Sequence, residues 1–274
     1  MTILEIITTS TEYLTKKSHE SPRLMAELLL CEILGQSRLS LYTKFDKPVK
    51  SEEIDKMREF IIRAGKNEPL QYITGTSNFL GLDIKCDSRG LIPRHETEHL
   101  AKIAEQSITN GDSILEIGTG SGCISVYLAL KFPDSEITAI DISDDAIALA
   151  KENAELHNAG NINFFKADIL KVLPQKNYKI LISNPPYIPS KEINELEKNV
   201  KDFEPLNALD GGDEGVTFYT RYVSLIQKSL VQKGKFFFEF GYGQENKMKE
   251  IFSDFKFKIE NDINGYPRFI IGEK

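Results

Sequence analysis

The stretch SILEIGTGSGC, residues 113–123, decides the fold. Its first part, SILEIG (113–118), is a short apolar strand; Gly118, Gly120 and Gly122 then form a loop, and CISVYLALKF continues as a helix. Strand, glycine loop and helix in that order mark the start of an open α/β unit. Outward from it the same alternation repeats. Strands are expected at EITAID (136–141), INFFKAD (162–168), YKILIS (178–183) and GKFFFEFGY (234–242), with a helix over SDDAIALAKENAELHN capped by Ser143. FKFKIENDI and YPRFIIG alternate around Asn264 and Gly265, a hairpin signal. The pattern predicts a mostly parallel doubly wound sheet with right-handed crossovers, closed by a C-terminal antiparallel hairpin.

Upstream of residue 65 the chain reads as helices. In SPRLMAELLLCEILG, Ser21 is a candidate N-cap, Pro22 suits the first helical position and Gly35 the left-handed closing one. Ser51 opens a second segment with Glu52 and Glu53 in its first turn and Ile54, Met57, Phe60, Ile61 and Ala64 on one face. Between Asn67 and Pro93, glycines at 75, 81 and 90 separate short strand-like runs. The expected division is a helical domain over 1–72, a β-hairpin-like linker over 73–94, and an α/β domain over 95–274.

Composition narrows the class. The 274 residues are 41% apolar and 27% charged, enough for a core and far from a disordered chain. No run approaches the ~18 apolar residues of a membrane helix, and MTILEIITTSTEYLTKK has no leader-like pattern. Three scattered cysteines, Cys31, Cys86 and Cys123, suggest neither disulfides nor a cysteine zinc site. A cytoplasmic protein without membrane attachment is expected. The net charge of −7 argues against tracking a nucleic-acid backbone. Residues 1–70 carry eleven basic and eleven acidic residues, so the whole acidic excess lies beyond them.

The glycine loop, Gly118, Thr119, Gly120, Ser121 and Gly122, lets backbone approach a ligand at the carboxyl edge of the sheet. Nineteen residues after Gly122, Asp141 ends the second strand, where its carboxylate can accept both ribose hydroxyls. Together they describe an adenosine site. The G-x-G-x-G spacing differs from the G-x-G-x-x-G of dinucleotide folds, which sets a pyrophosphate against a helix N-terminus. S-adenosylmethionine has no phosphate, and Glu116 offers acidity near its cationic groups. NAD binding, or a tight turn with Asp141 as a cap, remains the other reading.

The fourth strand runs into SNPPYIP. Two prolines remove two N–H groups and leave backbone carbonyls free to accept. The Asn184 Oδ1 and the Pro185 carbonyl can hold both hydrogens of an NH2 group and aim its nitrogen at a methyl donor. Pro186 shapes the turn, and Tyr187 offers a ring for a planar substrate group. A Pro-rich turn closing a strand is the plain alternative.

With these motifs the chain resembles the release factor glutamine methyltransferase family, the HemK-type enzymes. EPLQYITGTSNFLGL (68–82), LIPRHETE (91–98), FEPLNALDGGDEG (203–215), FEFGYGQ (238–244) and INGYPRFIIG (263–272) resemble blocks of that family in order and spacing. The resemblance implies a class I S-adenosylmethionine-dependent methyltransferase fold, Rossmann-like, with a small N-terminal substrate-recognition domain. It implies methyl transfer to the side-chain amide nitrogen (N5) of the glutamine in the Gly-Gly-Gln loop of peptide chain release factors, with S-adenosylhomocysteine as product. Nucleic acid is not the expected substrate. The donor site would then comprise Gly118 to Gly122, Asp141, the position after Asp168, and Asn184. The amide site would be Asn184 to Tyr187, with Asn184, Pro185 and Tyr187 in the catalytic roles. The position after Asp168 is Ile169, where some members carry an aromatic, so adenine stacking there is weaker.

Three other signals compete. NPPY also serves adenine-N6 methyltransferases of DNA or RNA, and a non-catalytic binder of S-adenosylmethionine would share the glycine loop. His95-Glu96-Thr97-Glu98-His99 matches H-E-x-x-H, the zinc-protease pattern. Pro93 places that match in a helix's opening turn, no third ligand is recognisable, and the resembled family usually has Pro where His95 stands. No metal is therefore expected. Arg94 beside it suits either a positioning or a surface role, and Asp213 and Glu214 suit a solvated turn.

Overall fold

The computed structural model describes residues 1–274. In chain order the first elements are α1 (Ile3–Lys16), α2 (Pro22–Leu34), α3 (Arg38–Tyr42), α4 (Ser51–Ala64), α5 (Leu70–Thr74), β1 (Thr76–Phe79), β2 (Leu82–Lys85) and α6 (His95–Glu105). Then come β3 (Ser113–Ile117), α7 (Cys123–Lys131), β4 (Glu136–Asp141), α8 (Asp144–Leu156), β5 (Ile162–Lys166) and β6 (Tyr178–Ser183). The remainder is α9 (Lys198–Lys201), α10 (Thr217–Ser229), β7 (Leu230–Glu239), α11 (Glu245–Ile251), β8 (Lys256–Asn261) and β9 (Pro267–Glu273). The chain divides into two compact units: Met1–Thr76 with Glu197–Phe203, and Ser77–Leu196 with Glu204–Lys274.

The first unit is helical. Thr2 and Glu5 form a capping box on α1, and α2 ends with Gly35 at φ 59°, the left-handed position its sequence suggested. Ser21 precedes α2 without donating or accepting a side-chain cap, so Pro22 sets that start. Ile6, Leu14, Leu29, Leu30, Met57, Phe60 and Ile61 meet in its core. One buried acid is compensated: Glu27 accepts from Arg23 (2.8 Å), Arg38 (2.7 Å) and Tyr42 (2.7 Å). Those partners hold its carboxyl below the usual range against the opposing effect of burial.

The second unit is a seven-stranded sheet in the order β5-β4-β3-β6-β7-β9-β8. Strands β5 to β7 are parallel, and β9 runs antiparallel to both β7 and β8. Two apolar clusters flank it, one around Leu100, Val126 and Phe237, the other around Leu181, Tyr222 and Phe238. The central strands are buried on both faces, which is why they read as continuous apolar runs. Strand order reverses between β3 and β6, so the crevice beyond their carboxyl ends is the place where such sheets bind ligands.

Strands β3 and β5 end at Ile117 and Lys166, short of the expected 118 and 168, and β7 moves at both ends. β7 begins at Leu230 rather than Gly234, because Leu230 pairs with Tyr178 across a register shift and Lys233 takes φ 58°. It ends at Glu239, where Phe240 turns to donate to the Arg268 carbonyl. The Asn264-Gly265 turn forms as expected, with Asp262 Oδ1 accepting from the amides of Asn264 (2.8 Å) and Tyr266 (3.0 Å). No helix is long and apolar enough to cross a membrane.

Candidate active site

A cavity of about 630 Å³ opens beyond the carboxyl ends of β3, β4 and β6. Its size falls within the usual range for a small-molecule site. Gly118, Thr119, Gly120, Ser121, Asp141, Ile169, Asn184, Pro185 and Pro186 all line it, together with Glu116. Gly122 and Tyr187 do not, although the sequence grouped them with these residues.

The floor is the glycine loop. Gly118 and Gly120 take φ 71° and 54°, values an L side chain rarely adopts, and a Cβ on Gly120 would meet only open space. The amides of Gly118 (2.8 Å) and Thr119 (3.0 Å) donate to the Ile140 carbonyl, tying the loop to the end of β4. Gly122 serves packing instead: a Cβ there would lie 2.9 Å from that of Ala150 on α8. Asn153 on the same helix locks the loop further, donating to the carbonyls of Ser121 (2.9 Å) and Lys85 (3.2 Å). A strap over residues 89–93 covers the loop, so close that a Cβ on Gly90 would lie 3.1 Å from the Ser121 nitrogen. Arg89 pins the strap through Asp87 (2.8 Å) and Glu152 (2.7 Å).

Two carboxyls border the floor. Asp141 accepts from Gly120 N–H (2.9 Å) and Ser143 N–H (3.0 Å), one on each oxygen. Burial raises its carboxyl above the ordinary value while those donors oppose the rise. Each oxygen keeps a further lone pair for a ligand hydroxyl. Glu116 is buried, accepts from the hydroxyls of Thr119 and Ser125, and is pushed up to about 8 by desolvation. Near neutral pH it is therefore mostly the acid, and a cationic ligand would favour its ionised form.

The opposite wall is the turn after β6. Ser183 donates to the Ile117 carbonyl (2.7 Å), leaving its oxygen to accept from Tyr222 (2.8 Å). Asn184 donates through Nδ2 to Thr97 Oγ1 (2.8 Å), while its Oδ1 is buried without a partner. An unmet acceptor of this kind costs about 1–3 kcal/mol, a sign that something outside the chain satisfies it. The Pro185 carbonyl likewise accepts no backbone hydrogen bond.

Tyr187 is held by partners outside the cavity lining. Arg268 sits 4.8 Å from its ring centre and donates to its hydroxyl (2.6 Å), and that hydroxyl lies 3.4 Å from Glu239. Its ring is thus engaged by a guanidinium from β9, and its carbonyl accepts from Gln244 (2.8 Å). The glycines of DGGDEG pack closely on the turn: a Cβ on Gly211 would meet the Pro186 carbonyl at 2.8 Å, and one on Gly215 the Tyr187 carbonyl at 2.2 Å. Asp210, Gly211 and Gly212 line the cavity, whereas Asp213 and Glu214 are exposed.

Three residues escaped the sequence reading. Thr97 lines the cavity, Glu239 accepts from it (2.9 Å), and Arg268 pairs with Glu239 (3.2 Å). Only the family-like blocks that contain them signalled these positions. Arg94 also lines the cavity and forms a short ion pair with buried Glu204, which accepts from Ile92 N–H as well (3.3 Å). The H-E-x-x-H pair does not converge: the His95 side chain is 87% exposed, whereas His99 packs edge-on against Phe269. No group of three metal-capable side chains occurs.

The cavity fits S-adenosylmethionine: an open glycine cradle, a carboxylate with free lone pairs, a buried acid and an apolar wall at Ile169 meet around it. The helical segment matches the PrmC N-terminal domain over residues 5–75, and a methyltransferase domain model matches residues 108–206. The release factor glutamine methyltransferase of Geobacter sulfurreducens is 38% identical over 274 residues, covering 99% of this chain and 96% of that protein. The chain belongs to the release factor glutamine methyltransferase family. The Bacillus subtilis enzyme of that name is 35% identical, with 98% and 96% coverage. Among solved structures, a Pyrococcus furiosus methyltransferase superposes with a TM-score of 0.53 at 20% identity, covering 71% of this chain and 90% of that one. The ribosomal protein L11 methylase of Lactobacillus delbrueckii subsp. bulgaricus gives 0.50 at 19% identity, covering 67% and 81%. These two share the methyltransferase fold with this member of the family.

Proposed function

We propose that the chain methylates the side-chain amide nitrogen (N5) of the glutamine in the Gly-Gly-Gln loop of class I peptide chain release factors, with S-adenosylmethionine as donor. Bound in the cavity, the donor supplies an electrophilic methyl group. Gly118 to Ser121 would cradle it with backbone, Asp141 would accept hydrogen bonds from its ribose hydroxyls, and Ile169 would offer an apolar wall to its adenine. The observation that carries the reading is the unpartnered Asn184 Oδ1 in the cavity wall, beside a Pro185 carbonyl that is also free.

A primary amide is a poor nucleophile because its lone pair is delocalised. Asn184 Oδ1 and the Pro185 carbonyl would each accept a hydrogen bond from one of its N–H groups, which favours the positive charge that develops on nitrogen as the N–C bond forms and the donor's S–CH3 bond breaks to leave a neutral thioether; the methylated nitrogen then loses one N–H proton to solvent. Holding that nitrogen in line with the methyl group contributes up to roughly 7–11 kcal/mol. Pro186 and the closely packed glycines keep the turn in place. Tyr187 supports it through its bonds to Arg268, Glu239 and Gln244.

The helical unit is proposed to recognise the release factor outside the reacting loop. Whole factor should then be methylated at a far lower KM than a short Gly-Gly-Gln peptide; equal values would remove that role. Asn184→Ala should lower turnover roughly 100-fold or more, as loss of one transition-state hydrogen bond does elsewhere, with a much smaller loss of donor affinity. The assay is labelled methyl transfer to whole release factor with the modified residue mapped, alongside undermethylated DNA and RNA. Wild-type turnover in Asn184→Ala, or label on a nucleic-acid base, would overturn the reading.

A further inference from the structure

Which way the Asn184 amide faces is not set by Asn184 itself. Its oxygen and nitrogen have nearly the same shape, so only their partners distinguish one orientation from the other. The partner here is Thr97 in the first turn of α6, whose hydroxyl lies 2.8 Å from Asn184 Nδ2 and 2.9 Å from Glu239 Oε2. Thr97 is 4% exposed and Glu239 is fully buried.

The proton count fixes the direction. A hydroxyl has one hydrogen, and Glu239 as a carboxylate can only accept. Its other oxygen already takes donors from Arg268 (3.2 Å) and Tyr187 (3.4 Å); desolvation pushes its carboxyl up to about 7 while Arg268 opposes the rise, so above that pH it is the carboxylate. Thr97 therefore donates to Glu239, its oxygen can only accept from Asn184, and Asn184 presents NH2 to Thr97. The Asn184 carbonyl oxygen is left on the other side, where it has no partner in the chain.

We propose that Thr97 and Glu239 are positioning residues for methyl transfer: their relay holds the Asn184 amide with its carbonyl oxygen toward the substrate nitrogen. The inference rests on the reading of Asn184 as the amide-holding acceptor. Were the relay reversed, Asn184 would offer a donor where a substrate NH2 also offers donors, and the two would repel. Neither residue touches the reacting atoms, and both act by fixing a third side chain. They also lie 142 residues apart in the chain, which places the relay beyond any local motif.

Two kinds of variant test this. Thr97→Val keeps the shape and removes the hydroxyl, and Thr97→Ala does the same with better helix propensity should the valine variant fold poorly. Glu239→Gln keeps the shape and reverses the relay: with its oxygen on Arg268, its NH2 donates to Thr97, whose hydrogen then turns to Asn184. Each variant should lower kcat at least tenfold toward whole release factor while the donor Kd, measured by calorimetry, stays within twofold. Thr97→Ser, which restores the hydroxyl, should recover kcat to within threefold of wild type, an outcome a loss of packing alone would not give. Adding Glu239→Gln to Thr97→Val should cost little more, because members of one network are not additive. Wild-type kcat in both Thr97→Val and Thr97→Ala, with Asn184→Ala inactive, would overturn the relay alone. Wild-type kcat in Asn184→Ala would instead overturn the reading beneath it.

Discussion

Glu116 makes the stability of this protein depend on pH in the sense opposite to most carboxylates. Its side chain is buried beneath the glycine loop, with two hydroxyl donors and no cation, and its carboxyl is pushed from 4.5 up to about 8. A group that holds its proton more tightly when folded adds stability that is complete below its unfolded value and is lost as pH rises through its folded value. Each tenfold difference in proton affinity is worth about 1.4 kcal/mol. Between about pH 5 and pH 8.5 the protein should thus lose about 3–4 kcal/mol through Glu116 alone. Glu116→Gln removes the charge and keeps the bonds, because Thr119 and Ser125 both donate to a single Glu116 oxygen, a place the Gln carbonyl can fill. Urea denaturation of both proteins without ligand, at the two pH values, measures the difference. The variant should gain about 3–4 kcal/mol on wild type between the acid and alkaline conditions. Parallel stabilities, with a gap that changes by less than about 1 kcal/mol, would refute the assignment of that slope to Glu116.

Asp141→Asn should weaken S-adenosylmethionine binding about 10- to 100-fold, since a hydrogen bond to a charged group contributes about 1.5–3 kcal/mol; calorimetry showing a Kd within twofold of wild type would count against Asp141 as the ribose acceptor. Gly122→Ala combines a left-handed φ of 79° with an approach of 2.9 Å to Ala150, and should cost about 2–4 kcal/mol of stability. Thermal unfolding would show a Tm lower by about 5–10 °C, and an unchanged Tm would mean that α8 yields freely.

Much of the fold was legible because strand periodicity and glycine placement are local. Strands β4 and β6 match their expected bounds, and Ser143 caps α8 through a bond to Ala146 N–H. The start of β7 was not, since Leu230 joins the strand only through its pairing with Tyr178 on the neighbouring strand. Within the site, the sequence placed Asp141 and the glycine loop together because both follow from strand ends. It gave no sign that the Tyr187 ring meets Arg268, 81 residues on. Thr97 was hidden inside a motif that reads as a metal ligand set, and nothing local distinguishes it from a solvent-facing threonine.

By itself the sequence determined the sheet, a site at its carboxyl edge and the family, because hydrophobic period, turn chemistry and the NPPY and glycine blocks are properties of short segments. Tertiary structure decided which polar atoms are left unmet. Asn184 reads the same in either amide orientation, and only the packing of α6 and β7 around it, with one hydroxyl hydrogen and one buried carboxylate, settles which atom is spare. That choice depends on counting donors and acceptors among residues far apart in the chain, information that no segment holds alone.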